Sequence, residues 1–221
     1  MSTSLYIRGV YYRGPLDRSM TFSSFLARGG AGGTAAHKRS LADALAAAKV
    51  FAEHPSGWLY LAGKTGVGKT HLAAAIVGEC IEQGRKVLFR FVPDLLDDLR
   101  RSYGPSGSKS FDHTFGLVRD AEVLVLDDLG AEASTAWAEE KLYQLIVHRH
   151  DAMMPTVFTS RITLETIGGS EAQITTRYSE AIVSRLRDGS VVADREMMAP
   201  DFRHRGATPR PRSTRRKSSR K

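Results

Sequence analysis

Short apolar runs alternate with amphipathic stretches from residue 58 onward. The runs at 58–62, 86–92, 123–127, 156–160 and 190–193 are short and mostly rich in Val, Leu, Phe and Tyr, so each reads as a strand buried in a sheet. Helical spacing of apolar positions marks the intervening stretches at 69–83, 93–103, 111–120, 136–151 and 174–186. Strands separated by helices pair in parallel and are covered on both faces. The predicted fold is therefore α/β, a three-layer domain on a five-stranded parallel sheet with right-handed crossovers.

A further helix is predicted from a cap at Thr34 to about Glu53, with Leu41, Leu45, Ala48 and Ala52 on one face and His54-Pro55-Ser56-Gly57 stopping it. In the 136–151 helix, Ala138, Leu142, Leu145 and Ile146 form a stripe that reads as core packing. Residues 28–34 (RGGAGGT) read as a flexible connection and 103–110 (YGPSGSKS) as a mobile loop. The first 20 residues show no period and receive no element. The expected organisation is an N-terminal extension and linker at 1–33, one α/β domain at 34–203 and a tail at 204–221.

Composition changes this picture in two places. The net charge of +8 suggests a nucleic-acid-coating protein, but nine Lys or Arg and no acid fall in 203–221, leaving 23 bases against 24 acids elsewhere. The body is near neutral, and the tail is cationic, with a composition that cannot build a core and is expected to be disordered. A lone cysteine, Cys80, excludes an internal disulfide and a multi-cysteine zinc site; it reads as a small apolar residue on a helix face. No apolar stretch approaches the roughly 20 residues of a membrane span, and the first ten residues lack a signal-peptide pattern, so a cytoplasmic protein without membrane contact is expected.

The candidate chemistry lies at two strand ends. Gly63-Lys64-Thr65-Gly66-Val67-Gly68-Lys69-Thr70 fits the phosphate-loop pattern G-x-x-x-x-G-K-[ST] and falls after an apolar strand and before a helix. Glycines let the backbone curl so that successive N–H groups face phosphate oxygens, and the helix adds its positive end. Lys69 would neutralise β and γ phosphates, and the Thr70 hydroxyl would bind Mg2+. The competing reading is a glycine turn that contains Lys-Thr by coincidence. About 60 residues later Val123-Leu124-Val125-Leu126-Asp127-Asp128 ends a buried strand in two carboxylates, at the edge where open α/β sheets place ligands. Asp127 would hold the metal and Asp128 would polarise an attacking water; two exposed acids closing a strand are the alternative.

With both elements placed, the chain resembles the DnaC/DnaI/IstB group of AAA+ ATPases, the bacterial helicase loaders and transposition helpers, over about residues 21–203. The matching blocks include Thr21-Phe22-Ser23-Ser24-Phe25, the stretch from Gly57 through GKTGVGKTHLAAAI, Val92-Pro93-Asp94-Leu95-Leu96, LVLDDLGAE at 124–132, Pro155-Thr156-Val157-Phe158-Thr159-Ser160 and Ile182-Val183-Ser184-Arg185-Leu186. The resemblance implies an ATPase with ATP and Mg2+ as cofactors and Lys69, Asp127 and Asp128 as catalytic residues. The implied nucleotide contacts are Gly63 to Thr70 and His71, with Ser160 and Arg203 added, Arg203 in the place of a sensor 2 arginine. It also implies a homo-oligomer in which Arg185 reaches the γ-phosphate of a neighbouring subunit. The implied role is helicase loading on single-stranded DNA in replication, with a replicative helicase as partner. The alternative is an IstB-like helper of DNA transposition, with a transposase as partner.

Two departures from the family pattern stand out. Where the family has Thr-Ser-Asn after the fourth strand, this chain has Thr159-Ser160-Arg161; an arginine donates hydrogen bonds but accepts none. Only about 20 residues precede the first matching block, without cysteines, where loaders carry a helicase-gripping domain. Arg100, Arg101, Tyr103, Lys109, Phe111 and His113, and separately the basic tail, are the candidates for contact with single-stranded DNA. A solvated helix face and an ordinary core Phe111 are the plain alternative. A P-loop kinase and an ATP-binding adaptor with little turnover remain open from other classes.

Overall fold

Strands with apolar side chains on both faces need a helical layer on each side, and the alternation along each strand decides which residue meets which layer. The computed structural model describes residues 4–7, 10–13, 19–27, 33–102, 108–167 and 178–202. In chain order the elements are β1 (Ser4–Ile7), β2 (Val10–Arg13), α1 (Ala35–Glu53), β3 (Trp58–Ala62), α2 (Lys69–Glu82), β4 (Val87–Phe91), α3 (Val92–Ser102), α4 (Ser108–Arg119), β5 (Val123–Leu129), α5 (Ala136–Asp151), β6 (Thr156–Ser160), α6 (Leu164–Ile167), α7 (Glu180–Leu186) and β7 (Val192–Glu196). Trp58, Tyr60, Leu124, Leu126 and Phe158 join one buried cluster, under α3, α4, α5 and α7. Their strand neighbours Leu59, Leu61, Val123, Val125 and Val157 join another, under α1 and α2. The three-layer expectation is met.

The five expected strands form a parallel core in the order β4-β5-β6-β3-β7, and among the described residues the sheet is seven-stranded because β1 and β2 extend the β4 edge. The antiparallel hairpin β1-β2, whose second strand pairs in parallel with β4, lies where the sequence shows no period. The chain passes from β3, inside the sheet, to β4 two strands beyond β6. That reversal opens a crevice at the C-terminal strand ends, where α/β sheets bind ligands.

Local signals explain most boundaries. Thr34 caps α1 through a reciprocal pair with His37. Cys80 is fully buried and its thiol is pushed up to about 11 by burial, as expected of an inert packing residue. Three expectations need correction. Strand β7 covers 192–196 rather than 190–193, because Asp188 gathers Ser190, Val191 and Val192 into a turn. Residues 108–110, read as loop, belong to α4, while 103–107 lie outside the described residues. The last helix, expected over 174–186, starts at Glu180 behind Ser179, and its expected first part, 174–177, lies outside the described residues. Among the described residues no helix is long and apolar enough to cross a membrane.

Candidate nucleotide site

Strand β3 is fully buried and ends at Ala62, and the chain then turns sharply before α2. Gly66 and Gly68 take φ of 79° and 107°, a region that costs other L-residues about 1–2 kcal/mol. A side chain at Gly68 would also meet the Phe25 ring at 2.7 Å. Gly68 is the N-cap of α2 and no side chain caps that end, so its first-turn N–H groups face outward from a positive helix end. The Lys69 ammonium is buried and donates to Gly63 O at 2.7 Å and Lys64 O at 3.0 Å, drawing the loop into a ring. Such a ring of N–H groups closed by an ammonium binds phosphate.

The acids stand opposite. Strand β5 runs past the expected end at Asp127 to Leu129 through a bulge: Leu126 pairs with Phe158 and Leu129 with Ser160, so Asp127 and Asp128 together face Thr159 alone. Asp128 takes φ 58°, which turns consecutive carboxylates in different directions. The Thr159 hydroxyl accepts from the Asp128 N–H at 2.9 Å and donates to Asp127 Oδ1 at 2.6 Å. Thr70, on the first turn of α2, donates to both Asp127 oxygens at 3.0 and 3.2 Å. Burial raises the Asp127 pKa above the usual carboxylate range, opposed by the two threonine hydroxyls and the Lys69 charge. A cation beside Asp127 would favour the ionised form. Thr159→Val should leave the Asp128 N–H unpaired and cost about 1–3 kcal/mol in urea denaturation followed by tryptophan fluorescence, whereas Thr159→Ser should cost far less.

The remaining expected residues are placed as follows. Ser160 is buried, donates to Leu129 O at 2.7 Å and accepts from the Ile162 N–H at 3.1 Å, so its hydroxyl braces the end of β5. His71 holds the 19–27 segment, with its Nε2 2.9 Å from Thr21 O and 3.2 Å from Ser24 Oγ and its ring edge-on to Phe25. Arg185 does not join the loop of its own chain; it donates to Ala181 O at 3.2 Å and meets Asp151 at 3.5 Å. Arg203 and the tail lie outside the described residues. Arg161 pairs with Asp128 at 3.5 Å. Of the DNA candidates, Arg100 lies over Trp137, Arg101 pairs with Asp98, Phe111 stacks on Phe115 and packs against the core, and His113 lines a groove beside α4. Tyr103 and the Lys109 side chain are outside the described residues.

Sequence reading missed Thr159, Phe25 against Gly68, and Asp201, whose carboxylate touches Gly66 while the Phe202 N–H bonds Gly66 O. It also missed Glu132, which accepts from the Gly130 N–H and from Tyr178 and thereby fixes the turn after β5. In the sequence Thr159 appears only as one of three hydroxyl residues in the short buried strand Thr156–Ser160 and in the Thr159-Ser160-Arg161 block, with nothing to show that it meets the acids.

The donors suit magnesium. Two cis ligands of an octahedral Mg2+ with bonds of about 2.1 Å lie about 3.0 Å apart, and the Thr70 hydroxyl and the nearer Asp127 oxygen are 3.0 Å apart. Among the described residues no group of three or more His, Cys, Asp or Glu could hold a metal ion by itself.

The comparisons agree with this geometry. The model of the IstB-like ATP binding protein family matches residues 32–194. The replicative helicase loader DnaI of Bacillus subtilis is 34% identical over 106 residues, 48% of this chain and 33% of that protein. An insertion sequence IS1162 putative ATP-binding protein of Pseudomonas fluorescens is 34% identical over 120 residues, 54% of this chain and 49% of that one. The chain thus spans from a third to a half of these relatives. The crystal structure of the DnaC helicase loader superposes with a TM-score of 0.62 at 24% identity, over 82% of this chain and 98% of that one, which shows that the two chains share the P-loop α/β fold. A P-loop joined through Thr70 to a buried strand-end acid, inside a family match that covers most of the chain, establishes that the protein belongs to the family of IstB-like ATP-binding proteins.

Proposed function

We propose that the chain is an ATP-hydrolysing AAA+ switch of the helicase-loader kind, which assembles with copies of itself on single-stranded DNA and delivers a replicative helicase. The observation that carries this reading is the Thr70–Asp127–Thr159 chain of hydrogen bonds, which ties the phosphate loop to the acid strand. ATP would lie along residues 63–70, with Lys69 turning toward its β and γ oxygens. Thr70 and Asp127 would hold Mg2+, which when bound neutralises phosphate charge and aligns the transferred group. Asp128, turned away from Asp127 by the bulge, would accept a hydrogen bond from the attacking water. Arg185 of a neighbouring copy would meet the γ-phosphate, because its own chain places it elsewhere.

Support for the partner comes from the relatives named as replicative helicase loaders. The similarity to the insertion-sequence protein and the name of the family model favour a second reading, a transposition helper. Capture from the native host separates the two: a hexameric helicase supports the first and a transposase the second. The core reading is tested by ATP hydrolysis at rising protein concentration, with and without single-stranded DNA. Turnover per subunit should rise with both, and Asp128→Asn should lower it by about 10²- to 10³-fold while nucleotide still binds. A rate per subunit that ignores concentration and DNA would instead indicate a monomeric P-loop enzyme such as a small-molecule kinase.

A further inference from the structure

After β7 the chain returns to the phosphate loop. Residues 197–202 run across it as a strap fixed at both ends: the Met197 N–H donates to Ala62 O at 2.7 Å and the Phe202 N–H to Gly66 O at 3.1 Å. Between these points the Ser40 hydroxyl of α1 accepts from the Met198 N–H at 3.0 Å and donates to Met198 O at 3.2 Å. Met197, Ala199 and Phe202 pack into the cluster under α1 and α2. The strap brings one acid to the loop. The Asp201 carboxylate fills the position that a Cβ on Gly66 would take.

Electrostatically the loop therefore carries an acid at residue 66, supplied through space by a segment more than a hundred residues away. A phosphate oxygen held by the N–H groups of the loop lies about 3 Å from their nitrogens. A charge that touches Gly66 is then within about 8 Å of bound phosphate, one Debye length at physiological ionic strength, so salt screens it only in part. Its sign opposes the rest of the site. The N-terminal end of α2 and the Lys69 ammonium attract phosphate, whereas the carboxylate repels it. With nucleotide absent, that same positive end favours the carboxylate. Both effects act in one direction, toward weaker retention of an anion on the loop.

From this we infer that Asp201 sets the residence time of the nucleotide, holding release fast by like-charge repulsion from within the chain. It acts on binding and release and touches no reacting atom. This role rests on the assignment of residues 63–70 as the nucleotide site.

The test compares wild type, Asp201→Asn and Asp201→Ala in the full chain, titrated with a fluorescent ADP analogue and then chased with unlabelled ADP to give the dissociation rate. Asparagine keeps the shape and removes the charge, and the Phe202 backbone bond to Gly66 does not depend on the side chain. Two unit charges about 7–8 Å apart in a water-like medium change a binding constant about two- to three-fold. Asp201→Asn should therefore tighten ADP about two- to three-fold with excess Mg2+, with dissociation slowed to match. In EDTA, where ADP carries two more negative charges, the gain should rise to about five- to ten-fold. Raising NaCl from about 0.05 M to about 0.5 M should bring the ratio of variant to wild type toward one. Asp201→Ala should give the same ratios. Equal affinities at low salt would overturn the role, and so would weaker binding by both variants, which would make Asp201 a brace for the loop. A gain indifferent to salt and Mg2+ would also overturn it, as a packing effect. Failure of wild type and both variants to bind the analogue would overturn the site assignment itself, and the role of Asp201 with it.

Discussion

Lys69→Ala and Arg185→Ala should each be nearly inactive in ATP hydrolysis, and mixing the two should restore activity. Lys69 is buried at the loop and holds Gly63 O and Lys64 O, so its loss removes both the ring closure and the charge that meets phosphate. Arg185 is anchored lightly, by one backbone carbonyl and a 3.5 Å contact to Asp151, and its buried Nε has no hydrogen-bond partner. A side chain held so loosely can be recruited across an interface. An arginine supplied in trans is worth about 10³- to 10⁵-fold in rate in other phosphoryl-transfer systems. The two variants should differ in binding, which Lys69→Ala loses and Arg185→Ala keeps. In an equal mixture about a quarter of the interfaces pair an intact loop with an intact arginine, if subunits assemble head to tail at random. Recovery toward that fraction, measured as phosphate release, supports completion of the site by a neighbour. Full binding by Arg185→Ala with no recovery on mixing would rule it out.

The second large effect is on stability and lies at the opposite end of the sheet. Arg149→Met should destabilise the fold by about 3–5 kcal/mol, the range for breaking a buried charged network, without weakening nucleotide binding. The Arg149 side chain is 1% exposed. It donates to Thr156 Oγ1, Arg119 O, Ala121 O and Pro155 O at 2.7–2.9 Å, tying the end of α4 to the starts of β5 and β6. Burial pulls its pKa down to about 10, still far enough above neutrality to keep it charged. Methionine cannot donate, so Arg119 O and Ala121 O lose this buried partner, at about 1–3 kcal/mol for each that water cannot reach, while Pro155 O keeps the Leu124 N–H. Lysine has no planar fork and should rescue only partly. Urea denaturation measures the loss, and a change below about 1 kcal/mol would show that the network contributes little beyond what water supplies.

Much of the architecture was legible because its determinants are local. Alternation of apolar runs located all five parallel strands, and the helical stripe at Ala138, Leu142, Leu145 and Ile146 is buried as expected. The phosphate loop could be read as a string because its backbone shape depends on glycines close together in the chain. Less was legible where a partner strand or distant segment makes the choice. Strand β7, an edge strand with exposed Ala193, Asp194 and Glu196, carries too little apolar signal to be bounded from sequence. The hairpin β1-β2 has no period of its own and is defined by pairing with β4.

The site divides along the same line. The loop and the two acids were legible in the sequence itself, since each is a short local string placed directly after an apolar strand. Tertiary structure alone decided that Asp127 faces Thr70 and Thr159, that Ser160 and His71 serve neighbouring segments, that Asp128 meets Arg161, and that Arg149 is a buried hub. The reason is physical. A carboxylate's direction at a bulge is set by the register of the adjacent strand, and whether a charge is solvated or buried is set by segments tens of residues away.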